Sequence, residues 1–263
     1  MDMILATIIV LAVVGLLIGM LLVFADETFA VEVDPKEQAV RACLPGNNCG
    51  ACGFAGCDAM AAAIAKGDAP VNGCPVGGAA VAAKVSQVMG VNADAMEKKV
   101  AFVKCAGTCD KVKLHSNYVG IESCEAVSSI PGKGIKSCQF GCLGFGSCVK
   151  ACQFDAIHVE DGVAKVNRSK CVACGKCVEA CPQHIIELVP DKSKFAVQCS
   201  SREKGPTVRK QCEAGCIGCM MCTRVCEHDA IHVDGNLAKI DYEKCVGCGK
   251  CAEKCPAKVI RMR

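Results

Sequence analysis

From Ile4 to Ala25 the chain runs for 22 residues without a charged or strongly polar side chain. At helical rise this makes about 33 Å, enough to cross the hydrocarbon of a bilayer, so the pattern predicts one membrane-spanning helix over residues 1–25. A cleaved signal peptide is the competing reading. Against it, Met-Asp-Met ahead of the run carries no Lys or Arg, and the run exceeds a usual signal core. Gly15 and Gly19 form a G-x-x-x-G step that would let another helix approach closely. An acidic tether, 26–34, follows, and Asp34-Pro35 predicts a helix start with Pro in its first turn. Ala-rich runs from Asp58 to Lys66 and from Ala79 to Met89 are closed by Gly67 and Gly90, predicting two short helices with glycine stops. Further on, short alternating pairs, Ile157 to Val166 and Ile231 to Ile240, read as β-hairpins with Asp-Gly turns.

Those two hairpins belong to a larger repeat. At a constant offset of 74 positions, Cys138, Cys142, Cys148, Cys152, Cys171, Cys174, Cys177 and Cys181 recur as Cys212, Cys216, Cys222, Cys226, Cys245, Cys248, Cys251 and Cys255. The chain holds 26 cysteines in 263 residues, a density usually met in short secreted disulfide scaffolds. Here the spacing points to metal instead. Cys171, Cys174, Cys177, Cys181-Pro182 and Cys245, Cys248, Cys251, Cys255-Pro256 fit Cys-x2-Cys-x2-Cys-x3-Cys-Pro, the bacterial ferredoxin run whose fourth cysteine serves the other cluster of the pair. Zinc is the competing metal, but four-cysteine zinc sites have no use for a third cysteine in register. Earlier in the chain, Cys49, Cys52, Cys57 and Cys74 lie among Gly46, Gly50, Gly53 and Gly56, and read as a further four-iron site. A helical hairpin with incidental thiols is the bland alternative.

The expected fold is α+β: an N-terminal transmembrane helix, a small helical 4Fe-4S domain (35–95), a connecting region (96–137), a first 2[4Fe-4S] ferredoxin unit (138–190), a connector (191–211) and a second unit (212–263). Short helices are expected after Cys148, Cys177, Cys222 and Cys251. With few large apolar side chains per unit, the clusters themselves should hold the modules together.

Crossing over the fourth cysteine assigns the second unit one cluster on Cys216, Cys219, Cys222 and Cys255 and another on Cys226, Cys245, Cys248 and Cys251. In the first unit Cys152, Cys171, Cys174 and Cys177 make a full set. Its partner set lacks one member, because the offset puts Phe145 where the second unit has Cys219. Cys138 is the expected replacement, joining Cys142, Cys148 and Cys181. Against that choice, Cys212 stands at the same offset in a unit already complete; if both are structural, this site holds a three-iron core or needs another donor. The total comes to about five [4Fe-4S] clusters. Of the remaining cysteines, Cys43 and Cys109 read as buried free thiols, Cys199 is expected to pack near Cys212 and Cys124 near Cys138, and Cys105 has no assignment.

Net charge is +3, but residues 1–95 carry 4 basic against 9 acidic side chains and the remainder 26 against 18. Without Trp or a compact basic run this does not point to nucleic acid. Four oxidised four-iron clusters at a net charge of about −2 each would balance the surplus. His115, His184 and His228 show no motif, and His158 and His232 read as packed or solvent-facing. No nucleophile triad, glycine-rich nucleotide loop or paired carboxylate is present, so no catalytic residue is assigned. What remains is a membrane-tethered electron wire, with a redox-sensing membrane protein as the different class.

The apolar helix, the pattern Asn48-Cys-Gly-Ala-Cys-Gly-Phe-Ala-Gly-Cys57 completed by Cys74-Pro75, and the ferredoxin units after it together resemble the B subunit of the Rnf complex, a membrane-bound ferredoxin:NAD⁺ oxidoreductase that moves Na⁺ or H⁺. The N-terminal pattern also resembles a domain of corrinoid iron–sulfur proteins. The Rnf resemblance covers nearly the whole chain. It implies electrons accepted from soluble reduced ferredoxin and passed toward flavin and iron–sulfur partner subunits in a lipid membrane. It implies also a single-pass protein of the inner membrane, and the need of such clusters for reduced thiols puts the body on the cytoplasmic side. A polyferredoxin subunit of another oxidoreductase, such as a hydrogenase, is the alternative. Gln153 and Glu227 depart from the ferredoxin run, standing where Pro is expected after the fourth cysteine, as does Phe145.

Overall fold

The computed structural model describes residues 2–28, 34–92 and 97–263. Helix α1 (Asp2–Thr28) forms over the apolar run, and its large side chains from Leu11 to Phe24 are exposed. Among the described residues no helix is long and apolar enough to cross a membrane, so the crossing expected over 1–25 rests on the sequence. The middle of the expected tether, 29–33, and the expected domain boundary at 95 and 96 lie outside the described residues.

Three helices make the N-terminal domain: α2 (Pro35–Cys43), α3 (Cys57–Lys66) and α4 (Gly78–Met89). The Asp34 side chain accepts a bond from the Lys36 amide at 2.8 Å, satisfying one open donor of α2, with Pro35 in the first turn. Gly67 and Gly90 end α3 and α4 in the left-handed conformation, as expected. Val40, Met60, Ile64 and Val85 interlock as the domain's core, with Cys43 packed at its edge.

The rest is a duplicated α/β arrangement. The first copy contains β1 (Lys99–Val103), α5 (Cys124–Ser128), α6 (Ser147–Lys150), β2 (Ile157–Glu160), β3 (Val163–Val166), α7 (Lys176–Glu179) and β4 (Ile186–Pro190). The second contains β5 (Phe195–Val197), α8 (Gly205–Gln211), α9 (Met221–Arg224), β6 (Ile231–Asp234), β7 (Leu237–Ile240), α10 (Lys250–Lys254) and β8 (Ile260–Met262). All pairing among the described strands is antiparallel: β2 with β3 and β6 with β7 are the expected hairpins, while β1 pairs with β4 and β5 with β8. Each unit therefore begins earlier than the cysteine repeat suggested. Its outer strand comes from what read as a connector, because Val100 and Val189 in one unit, and Val197 and Ile260 in the other, need a partner strand to bury them.

Two local details differ from expectation. The single-turn helices begin one residue ahead of Cys148, Cys177, Cys222 and Cys251, so each holds its cysteine in its first turn. The first hairpin turns on Asp161-Gly162 (φ 50° and 74°), but the second turns on Gly235-Asn236 (φ 54° and 63°). Both central residues are left-handed, as a type I′ turn demands, and the hydrophobic register places Asp234 in the strand opposite Leu237.

Candidate metal centres

Four cavities of nearly equal size open inside the duplicated region, each lined by four cysteines. One, of about 20 Å³, is lined by Cys152, Cys171, Cys174 and Cys177; another, also of about 20 Å³, by Cys226, Cys245, Cys248 and Cys251. Each lining joins the three closely spaced cysteines of one run to a cysteine from before the hairpin. Cys216, Cys219 and Cys255 all act on Cys222, so the remaining set of the second unit is also gathered in one place. In the N-terminal domain Cys52 and Cys57 face Cys74, while Cys49 lies within electrostatic reach of Cys174 in the first ferredoxin unit.

The third cavity, of about 20 Å³, does not have Cys138 in its lining. Its thiols are Cys142, Cys148, Cys181 and Cys124. Cys124 opens α5, where its amide donates to Ser147 Oγ at 3.0 Å, and Ser147 Oγ donates to the Glu125 carboxylate at 2.8 Å. Phe145, in the place of the missing cysteine, stacks edge-on with Tyr118 at 5.4 Å and packs with the cluster of Cys124, Val127 and Leu143. The gap in the run is thus covered by the segment that delivers Cys124. Cys138 lies elsewhere and does not pair with Cys124. It lines the fourth cavity, of about 20 Å³, with Cys105, Cys199 and Cys212. Cys199 and Cys212 do meet, as expected; Cys109, expected buried, is exposed.

Backbone amides point at the sulfurs. Ala101, Ala156, Ala164 and Ala230 donate to Cys171, Cys152, Cys142 and Cys226 at 3.3, 3.4, 3.4 and 3.3 Å, and Gly77 to Cys74 at 3.3 Å. Such bonds favour thiolate, while burial opposes it. Burial prevails: it pushes Cys148 and Cys177 up to about 12 and Cys199 and Cys222 up to about 11, with neighbouring thiols adding to the rise in each case. Four such thiols around an apolar void have little use without a cationic core. The residues fit a four-iron core: four sulfurs at the rim, amides that stabilise them as anions, and apolar walls that exclude water. Among the described residues no three His, Cys, Asp or Glu side chains converge closely enough to hold a single ion. One tetrahedral zinc would gather its sulfurs to about 3.8 Å from one another.

The histidines stay outside this chemistry. His158 and His232 lie partly exposed beside Asp155 and Asp229, each pair at 3.5 Å. Lys136 is the exceptional cation: only 3 % exposed, it donates to the carbonyls of Gly107 at 2.9 Å and Gly162 at 2.6 Å, and it acts on both Cys142 and Cys212.

Family comparisons agree with this chemistry. Residues 44–76 match a family described as an Fe-S cluster domain, 164–187 a 4Fe-4S binding domain and 210–262 a 4Fe-4S dicluster domain. The chain is 46 % identical over 252 residues to the B subunit of the Na(+)-translocating ferredoxin:NAD(+) oxidoreductase complex of Acetobacterium woodii, covering 95 % of this chain and 75 % of that protein. It is 43 % identical to the B subunit of the ion-translocating oxidoreductase complex of Methanosarcina acetivorans, covering 97 % and 96 %. Against the B subunit of the proton-translocating ferredoxin:NAD(+) oxidoreductase complex of Clostridium ljungdahlii it is 40 % identical, covering 99 % and 93 %. Thiol sets spaced for four-iron cores, matched almost end to end by these relatives, mean that the chain belongs to the B subunits of ion-translocating ferredoxin:NAD⁺ oxidoreductase complexes, proteins that carry several [4Fe-4S] clusters.

Proposed function

We propose that this chain takes electrons from reduced ferredoxin and relays them toward flavin and iron–sulfur partner subunits and finally NAD⁺, held to the inner membrane by the apolar helix at its N-terminus with its body on the cytoplasmic side. The observation that carries the reading is adjacency: thiols of one four-cysteine set act electrostatically on thiols of the next, Cys49 on Cys174 and Cys177 on Cys148. When bound, [4Fe-4S] cores supply one-electron centres. The chain's own residues set the spacing between these centres, exclude water from them and direct amides at their sulfurs. The site ligands of this reading are Cys49, Cys52, Cys57 and Cys74; Cys152, Cys171, Cys174 and Cys177; Cys124, Cys142, Cys148 and Cys181; Cys216, Cys219, Cys222 and Cys255; and Cys226, Cys245, Cys248 and Cys251. Ile4 to Ala25 supplies the anchor, with about 33 Å of helix against about 30 Å of hydrocarbon.

The test is stopped-flow mixing of anaerobic full-length protein in detergent with reduced ferredoxin. Visible absorbance should bleach within the mixing experiment and recover when an oxidised flavoprotein partner is added. Zinc in place of iron and sulfide, or no bleaching of an iron-loaded chain, would refute the reading.

A further inference from the structure

The cavity lined by Cys105, Cys138, Cys199 and Cys212 belongs to none of the sets above. It lies between the two ferredoxin units and draws two cysteines from each. Its halves are equivalent. Cys105 follows the end of β1 by two residues and Cys199 follows the end of β5 by two. Cys138 and Cys212 each stand four residues ahead of Cys142 and Cys216, the first ferredoxin cysteine of each unit. The hydrogen bonding repeats too: the Cys142 amide donates to Cys105 Sγ at 3.3 Å, and the Cys216 amide to Cys199 Sγ at 3.2 Å.

Three further observations make this a place for the same object as its neighbours. At about 20 Å³ the void matches the about 20 Å³ of each of the other three cysteine-lined cavities. Space is kept open by small residues: a Cβ on Gly107 would meet Cys212 Sγ at 3.4 Å, and one on Gly141 would meet Cys105 Sγ at 3.5 Å and Cys138 Sγ at 3.6 Å. Buried Lys136 lines the same cavity, so a positive charge is already installed beside four groups that become anionic on binding iron. A pair of incidental thiol contacts would need neither the void, the glycines nor the cation.

We infer that Cys105, Cys138, Cys199 and Cys212 hold a further [4Fe-4S] cluster, shared between the two ferredoxin units and bridging their cluster pairs. The inference rests on the iron–sulfur reading of the chain and adds a centre to it. The site is both connection and staple. Through Cys105 it adjoins the Cys142 set, and through Cys199 the Cys216 set, so electrons cross between units without leaving the protein. With it, 24 of the 26 cysteines are ligands and Cys43 and Cys109 alone are free.

Native mass spectrometry of the anaerobically purified full-length chain in detergent counts clusters on the most loaded species, alongside iron and acid-labile sulfide. Six clusters, or about 24 iron and 24 sulfide, are expected. Because only Cys43 and Cys109 would remain, a sixth cluster has no other complete set to use. The Cys199→Ala/Cys212→Ala variant should stop at five clusters, losing about four iron, whereas Cys43→Ala/Cys109→Ala should keep six. A wild-type maximum of five, unchanged by Cys199→Ala/Cys212→Ala, overturns the bridging site while leaving the electron-transfer reading in place. A chain without iron overturns both.

Discussion

Replacing Cys124 by Ala separates the sequence-derived ligand set from the structural one. Cys124 is 9 % exposed and faces Cys142, Cys148 and Cys181 across their cavity, while Cys138 faces Cys105, Cys199 and Cys212. Removing one sulfur from an otherwise intact core should cost about 1 kcal/mol of packing, too little to unfold the unit by itself. Three thiols can keep three irons, so the variant should lose about one iron if a three-iron core survives and about four if it does not. A surviving three-iron core is paramagnetic when oxidised, whereas an oxidised four-iron core is silent, so electron paramagnetic resonance on the air-free, unreduced protein distinguishes the two. Cys138→Ala should produce an independent lesion in the other cavity, and the double variant should show the sum of both losses. Unchanged iron in Cys124→Ala, with no new oxidised signal, would refute the ligand exchange and restore Cys138 to the first unit.

Cluster loading should release protons: the thiols raised to about 12 (Cys148, Cys177) and about 11 (Cys199, Cys222) are protonated at pH 8, so weakly buffered reconstitution should liberate close to one proton from each of these four. Gly144→Ala should lower the melting temperature and iron content more than Gly218→Ala, since its Cβ would stand 2.8 Å from the Gly162 carbonyl, against 3.0 Å from that of Asn236. Lys136→Met leaves the carbonyls of Gly107 and Gly162 without their donor, at about 1–3 kcal/mol each, and removes a buried positive charge; redox titration should find the adjacent clusters harder to reduce.

The legible parts of this fold are those with short-range signatures. Hairpins, glycine-stopped helices and the crossed cysteine runs follow from periods of two, turns of fixed chemistry and thiol spacings of two or three residues. What escaped was long range. Strands β1 and β5 are short apolar stretches within Lys-rich segments, and only their pairing with β4 and β8, 83 and 63 residues further on at Val103–Ile186 and Val197–Ile260, makes them strands. Missing those strands also hid the true partner of Cys199. Matching by distance from Cys138 and Cys212 selects Cys124, but matching by strand selects Cys105, since Val103-Lys104-Cys105 and Val197-Gln198-Cys199 occupy equivalent places. The offset there is 94 rather than 74, because the first unit carries 20 additional residues between its outer strand and its first ferredoxin cysteines.

That insertion accounts for the broken symmetry of the repeat. In the second unit Cys219 comes from the ferredoxin loop itself and is exposed; in the first, the loop has Phe145 and the inserted segment brings Cys124, which is buried. Exchanging a loop cysteine for one on a packed segment moves a cluster edge from the surface to the interior. The Cys124 set then lies between the Cys174 set, reached through Cys148 and Cys177, and the bridging cavity, reached through Cys142 and Cys105. An interior relay needs neighbours on two sides and gains nothing from solvent, whereas an end station must present an edge to a partner. Exposed Cys219 and Cys248, flanked by the exposed apolar side chains of Met220, Met221 and Val246, have the character of such an edge. On the proposed ligand sets the order along the wire is the Cys49 set, the Cys174 set, the Cys124 set, the bridge and then the second unit, with buried Cys124 in the interior and exposed Cys219 and Cys248 at the far edge.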